Sequence, residues 1–202
     1  MNINKAIKKQ KKSYKRFMLL MSFIFFILPI ILIISNNINI FYILYLIIIE
    51  CLVIIAIMVK KNNEALNFQC DNYKLKITSG LKKDKLNIIC SKVEFVHVEN
   101  IIRKSDKEKD FIIILIACST FRSKRMIPMN YKFLKNHPYV AFHYNKMKIL
   151  NPENKYAFSI IKKGKNYKYE LLDCIYKSCV YATFTEEAIE KIKDYRACLI
   201  RE

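Results

Sequence analysis

Hydrophobic residues follow three different periods along this chain. Residues 17–34 (FMLLMSFIFFILPIILII) carry no charge, residues 38–59 (INIFYILYLIIIECLVIIAIMV) carry only Glu50, and the link between them is Ser35-Asn36-Asn37. At ~1.5 Å per residue the two runs reach roughly 27 and 33 Å as helices, against a hydrocarbon core of about 30 Å. Two such runs back to back, with no small-residue cleavage site after the first, predict a membrane hairpin rather than a signal peptide or a pair of buried core helices. Pro29 is tolerable in such a helix but should kink it.

Beyond the hairpin the period falls to two. Tyr73, Leu75 and Ile77 alternate with Lys74, Lys76 and Thr78, which predicts a half-buried strand. Ser79-Gly80 supplies a turn and residues 81–90 resume an extended pattern, so the two form a strand hairpin after the short connector 62–71. Residues 93–98 predict a further strand and 103–110 a charged loop; the apolar run 111–118, too short to cross a bilayer, reads as a strand at the centre of the soluble core. The pattern weakens over 122–138, where 129–136, bounded by Pro128 and Pro138, reads as a short helix or a loop. Residues 139–144 and 147–150 read as short strands, and Tyr156, Phe158 and Ile160 alternate. After the turn Lys162-Lys163-Gly164-Lys165, Tyr167, Tyr169 and Leu171 alternate again, and 174–183 reads as extended. About seven strands in an antiparallel meander are expected.

A helical period returns at the end. Thr185 is a candidate N-cap, Glu186 and Glu187 occupy the first turn, and Ile189, Ile192, Arg196 and Leu199 share a face, predicting an amphipathic helix at about 185–200. The expected fold class is a membrane-anchored α+β chain: a basic N-terminus (1–16), a two-helix transmembrane hairpin (17–59) and one mainly antiparallel β domain with a C-terminal helix (60–202).

Charge orients this picture. Lys5, Lys8, Lys9, Lys11, Lys12, Lys15 and Arg16 precede the first span and Lys60 and Lys61 follow the second, while the connecting turn has no basic residue, so both termini are expected on the cytoplasmic side of the cell membrane. Tyr42 and Tyr45 suit the outer interfacial belt. The chain is +19 in all, and from Lys60 onward 29 basic residues face 16 acidic ones, a net +13. Basic residues near an anionic leaflet gain ~1 kcal/mol each, so the soluble domain is expected to lie on the membrane, with anionic lipid as a partner; a solvated lysine-rich face is the plainer reading.

Glu50 sits mid-span. A central acid costs on the order of 3 kcal/mol, which the fifteen Leu, Ile, Phe and Val residues of that run outweigh at about −0.3 to −0.6 kcal/mol each. It is either a contact with another membrane helix or a protonated, locally bonded carboxyl without a role.

Catalytic and metal chemistry finds little support. The chain has no GxSxG, P-loop or HExxH pattern, and two glycines cannot build a glycine-rich phosphate cradle. The seven cysteines (Cys51, Cys70, Cys90, Cys118, Cys174, Cys179, Cys198) are scattered without a CxxC, so no disulfide framework is implied and most should be reduced, buried and small. His97, His137 and His143 have no metal-ligand spacing, and a site built on Cys174 and Cys179 has little behind it. No cofactor or metal is expected, and nucleic-acid binding has charge but no reading motif behind it.

The stretch 73–98 (YKLKITSGLKKDKLNIICSKVEFVHV) resembles the opening of the bacterial pleckstrin-homology-like membrane proteins, in which a transmembrane hairpin precedes a strand, a glycine turn and a second strand ending at an apolar position, here Val93. Arg125-Met126-Ile127-Pro128-Met129 is similar to a basic, apolar, Ile-Pro segment of related small hairpin-anchored proteins. The resemblance implies a roughly seven-stranded, partly open barrel capped by the C-terminal helix. It also implies that the turn carrying Lys82, Lys83 and Lys85 is a candidate lipid or anion contact; Lys162, Lys163 and Lys165 form a second basic turn open to the same reading. The expected function is a non-enzymatic, membrane-anchored binding or scaffold module that meets anionic lipid, a protein partner or a second copy. The alternative is an accessory subunit of a transporter or secretion complex that uses the hairpin and Glu50 for helix contacts.

Overall fold

Two helices long and apolar enough to cross a membrane lead the chain in the computed structural model, which describes residues 3–35, 39–71, 73–81, 85–103, 108–118 and 125–200. Helix α1 spans Ile3–Ile34 and α2 spans Ile40–Glu64. Residues 3–16 of the basic N-terminus form the first turns of α1, and Pro29 sits inside that helix without ending it. Ile3, Ile7 and Gln10 fall at helical spacing on the one face of this segment that is buried, while most of the lysines occupy the others.

Two sheets follow. The first is the antiparallel order β1-β2-β3, formed by Leu66–Cys70, Lys74–Ser79 and Lys85–Ile89. The second has the order β6-β7-β5-β4-β8, in which β4 is Val93–Ile102, β5 Lys109–Cys118, β6 Ile127–Pro128, β7 Tyr156–Ile161 and β8 Thr183–Phe184. All its pairings are antiparallel except β4 with β8. Among the described residues the strands form two separate sheets, of three and five strands, with no closed barrel, where a roughly seven-stranded, partly open barrel was expected.

The isoleucine-rich run is the central strand β5, and its uniform burial follows from being covered on both faces. Phe111, Ile113, Leu115 and Ala117 point into a core shared with β1–β3 and two later helices, whereas Ile112, Ile114 and Ile116 point into a second core. On β4 the register slips between Val93 and Phe95, a bulge that sends Phe95 to the second core while Val93, Val96 and Val98 stay in the first.

Several predicted strands are helices. Residues 139–150 form α4 (Pro138–Leu150), preceded by α3 (Tyr131–Asn136). Asn130 accepts the Phe133 N–H at 2.8 Å, Pro138 opens α4, and Val140, Tyr144 and Met147 lie at i, i+4, i+7 on the face toward the second core. Tyr167, Tyr169 and Leu171 belong to α5 (Tyr167–Ser178), whose Leu171, Leu172 and Ile175 recur at helical spacing and are fully buried; of the extended stretch 174–183, only Thr183 joins a strand. The connector 62–71 is instead the end of α2 followed by β1. The C-terminal helix α6 spans Glu186–Ile200, but its buried face is Ala188, Ile192 and Tyr195, with Leu199 left exposed. One covalent expectation also changes: Cys70 of β1 is disulfide-bonded to Cys174 of α5 across 104 residues, a pairing that tertiary contact creates and local spacing could not reveal.

Asp173 ties α5 to α6. Its carboxylate accepts from Arg196 Nε and Lys177 Nζ, both at 2.6 Å. Burial pushes this acid up, but Lys177 and Arg196 together pull it below the usual carboxylate range. A carboxylate depressed in the folded state stabilises above its unfolded value of about 3.9 and loses that contribution as pH falls through the folded value. In detergent-solubilised protein, Asp173→Asn is expected to unfold at a lower temperature at pH 7 and to lose less further stability between pH 5 and about pH 2 than the parent. An acid limb identical in the two proteins would contradict this clasp.

Candidate functional site

The only two glycines in the chain do the same job. Gly80 (φ 76°) and Gly164 (φ 108°) each turn the chain against the last turn of α2. The Gly80 N–H donates to Ala65 O at 2.9 Å and the Gly164 N–H donates to Asn63 O at 3.1 Å. Between them, Asn62 Oδ1 accepts the Leu81 N–H at 3.1 Å and Lys163 Nζ at 2.6 Å. These residues satisfy the end of α2 while pinning both turns to it. From the other helix, buried Gln10 donates to Gly164 O at 3.4 Å and accepts the Asn166 N–H at 3.1 Å.

The two basic turns read separately in the sequence are thus neighbours at the charged end of the hairpin. Lys85 and Lys162 are exposed, Lys163 and Lys165 half-buried, while Lys82 and Lys83 lie outside the described residues. Arg125 of the Ile-Pro segment joins the same region by donating to Ser79 Oγ. Glu50 is half-buried, far up α2 from these turns. At the uncharged end of the hairpin, an apolar groove of about 310 Å³ lies between the helices, lined by Leu28, Ile31, Tyr42 and Tyr45 among others.

Below Lys60 a cleft of about 490 Å³ opens between the hairpin and the sheet. Its charged lining is Lys9, Lys60, Arg103, Lys109 and Lys165 against Glu64, Glu108 and Asp110, a net +2. Ser13, Gln10 and Asn166 add uncharged polar groups. Glu64, only 6% exposed, lies 2.8 Å from Lys60 and 3.6 Å from Lys165. Arg103 reaches Glu108 at 2.6 Å and Asp110 at 3.7 Å.

Behind the cleft, Lys168 is fully buried yet saturated. Its Nζ donates to Asp110 Oδ1 at 2.6 Å, to Phe111 O and to Lys162 O at 3.4 Å, and stands 4.9 Å over the Phe111 ring. Burial lowers its pKa, an effect the Asp110 carboxylate opposes. Deleting one partner of such a buried pair costs about 3–5 kcal/mol, so this lysine holds the cleft wall instead of lining it.

Sequence reasoning missed Lys9, Lys60, Arg103, Lys109, Glu64 and Asp110 as a group, because they come from three segments far apart in the chain. One usable signal was Gln10, an uncharged polar residue in register with Ile3 and Ile7 within a lysine-rich helix. The three histidines also converge unexpectedly: His97 Nδ1 is 3.2 Å from Thr185 Oγ1, His137 Nδ1 is 2.8 Å from Glu99, and the Tyr139 ring lies 4.9 Å from both the stacked His97 ring and the tilted His143 ring. Burial lowers the His97 pKa, against the pull of Glu187 and Glu99. Among the described residues no group of three His, Cys, Asp or Glu side chains is arranged to hold a metal ion. Cys174 and Cys179 point to different partners, Cys70 and Cys90.

A Cβ at position 164 would lie 2.5 Å from Leu66 Cδ2 and 2.7 Å from Leu66 Cβ, whereas at position 80 it would meet the tips of Asn62 and Lys163, both at 2.6 Å. The Lys163 tip can swing aside; Leu66, buried in the core, cannot. Gly164→Ala is therefore expected to destabilise by about 2–3 kcal/mol, and Gly80→Ala by about 1–2 kcal/mol from its positive φ. Thermal unfolding of the two variants checks the order, and Gly80→Ala proving the more damaging would contradict it.

No family model matches this chain, and neither the curated proteins nor the solved structures contain a significant match to it.

Proposed function

We propose that this protein is a non-enzymatic, membrane-anchored binding module that holds a basic cleft against the cytoplasmic leaflet, where the cleft takes the headgroup of an anionic lipid. The observation that carries the reading is the docking of both basic turns onto the charged end of the hairpin. Lys60 Nζ stands 5.5 Å over the Phe17 ring, so the first charge after the second apolar run and the first residue of the first apolar run share one level, the natural edge of a hydrocarbon core. Ser13, one turn before Phe17, and Glu64, one turn after Lys60, lie roughly 6 Å beyond that level. A headgroup layer is about 5–7 Å deep on each side of the core, so the cleft mouth falls within it.

The charge balance supports an anionic occupant. The cleft is net +2 and the surrounding turns add Lys85, Lys162 and Lys163. Lysine recognises phosphate as a point charge, which suits headgroup capture without fine stereochemical selection. From the pleckstrin-homology-like resemblance the reading keeps only the basic turn between the second and third sheet strands. The accessory-subunit alternative rests instead on the hairpin and Glu50, which lies well away from the cleft.

The test uses the full chain in nanodiscs of zwitterionic lipid with and without a minority of phosphatidylglycerol, read by native mass spectrometry of retained lipid. Preferential retention of the anionic lipid is expected, falling about fivefold for Lys60→Ala and again for Lys165→Ala, at ~1 kcal/mol per lysine. Equal retention of both lipids at low and high salt would overturn the reading.

A further inference from the structure

The cysteines look scattered in the sequence, yet four of them meet along one seam. Cys70 ends β1 and Cys90 follows β3, both at the margin of the three-stranded sheet. Helix α5, packed against that sheet in the first core, carries Cys174 in its interior and Cys179 at its C-cap. The Cα atoms of Cys70 and Cys174 are 6.4 Å apart and their sulfurs are bonded, a separation within the range disulfides accept. Cys90 and Cys179, both in the first core, form a second pair of interacting thiols.

The two pairs differ in access. Cys90 and Cys179 are 2% and 0% exposed, and burial pushes both thiols up, so the reactive thiolate is scarce and a reagent has no route to it. Cys70 and Cys174 are only half-buried. A partly exposed disulfide is the kind that reducing agents open, and one in a reducing compartment is typically transient.

We infer that Cys70 and Cys174 are a reversible dithiol–disulfide site that fastens the three-stranded sheet to α5, while Cys90 and Cys179 stay thiols. Closure needs a small-molecule disulfide as oxidant. One protein thiolate attacks it, forming a mixed disulfide and releasing one small thiol; the partner thiolate then displaces the second. The protein loses two protons and two electrons, and the small disulfide becomes two thiols. A dithiol reverses the sequence.

Position gives the link its leverage. β1 continues directly from α2 through Ala65, and α5 begins three residues after Gly164. The bond therefore locks together the two elements that follow the hairpin dock and the second basic turn, whatever the cleft binds. It also closes a loop of about a hundred residues, which restricts the unfolded chain strongly.

The experiment treats full-length protein in detergent micelles with a reduced dithiol reagent or with glutathione disulfide, alkylates free thiols and maps the peptides. In the oxidised sample the Cys70 and Cys174 peptides are expected to be joined, Cys90 and Cys179 to be alkylated only after unfolding, and the thermal midpoint to rise by about 10 °C. Reduction should return both cysteines to the alkylatable pool, and Cys174→Ser should abolish the midpoint shift. Full alkylation of Cys70 and Cys174 after oxidation, or a link that uses Cys90 or Cys179, would overturn the assignment. Because the peptide map is read on the parent protein, it decides the matter even if Cys174→Ser does not fold.

Discussion

The rest of the structure depends on how the last turn of α2 is satisfied. A helix leaving an apolar run ends with orphan carbonyls, and here two glycine turns donate to carbonyls at and just beyond that end while the Asn62 side chain gathers a backbone N–H and a lysine. Both glycines hold positive φ and both sit where a side chain would collide with this junction. A chain this poor in glycine spends its entire supply on one dock. Through it the hairpin, the three-stranded sheet and β7 acquire a common origin, and the lysines beside the turns come along.

The second organising element is the doubly covered β5. Its alternate residues feed two cores, and the bulge on β4 shifts the register so that Val93 and Phe95, two residues apart, serve opposite sides. At the strand's start Asp110 meets buried Lys168, so the same strand that anchors the cores also builds the back of the cleft. Such a buried ion pair adds little net stability compared with apolar packing, and its value lies in fixing where that wall stands.

Much of this architecture was legible in the sequence, for definite reasons. The two apolar runs, the strict alternation of 73–78, the isoleucine run and the capped C-terminal stretch each show a single period that tertiary contact reinforces. The failures fall where two periods fit at once. Tyr167, Tyr169 and Leu171 alternate, but Lys168, Leu171, Leu172 and Ile175 also recur at helical spacing, and the sheet face they cover selects the helix. The signals were Asn130, which caps α3, and Pro138, which opens α4, and they outweigh the β-favouring tyrosines nearby. The candidate site was half legible: lysine-flanked glycine turns can be read locally, but their meeting at α2, the paired cysteines and the converging histidines depend on separations of dozens of residues.

The central claim is that the charged end of the hairpin and both basic turns form one surface at headgroup depth. Photo-crosslinking from a probe residue placed singly at Lys162, Ser13 and Val59 of the full chain in phosphatidylglycerol-containing bilayers tests it directly. Lipid adducts from all three positions are predicted. Adducts from Val59 alone, with Lys162 and Ser13 crosslinking only to protein or quenched by water, would contradict it.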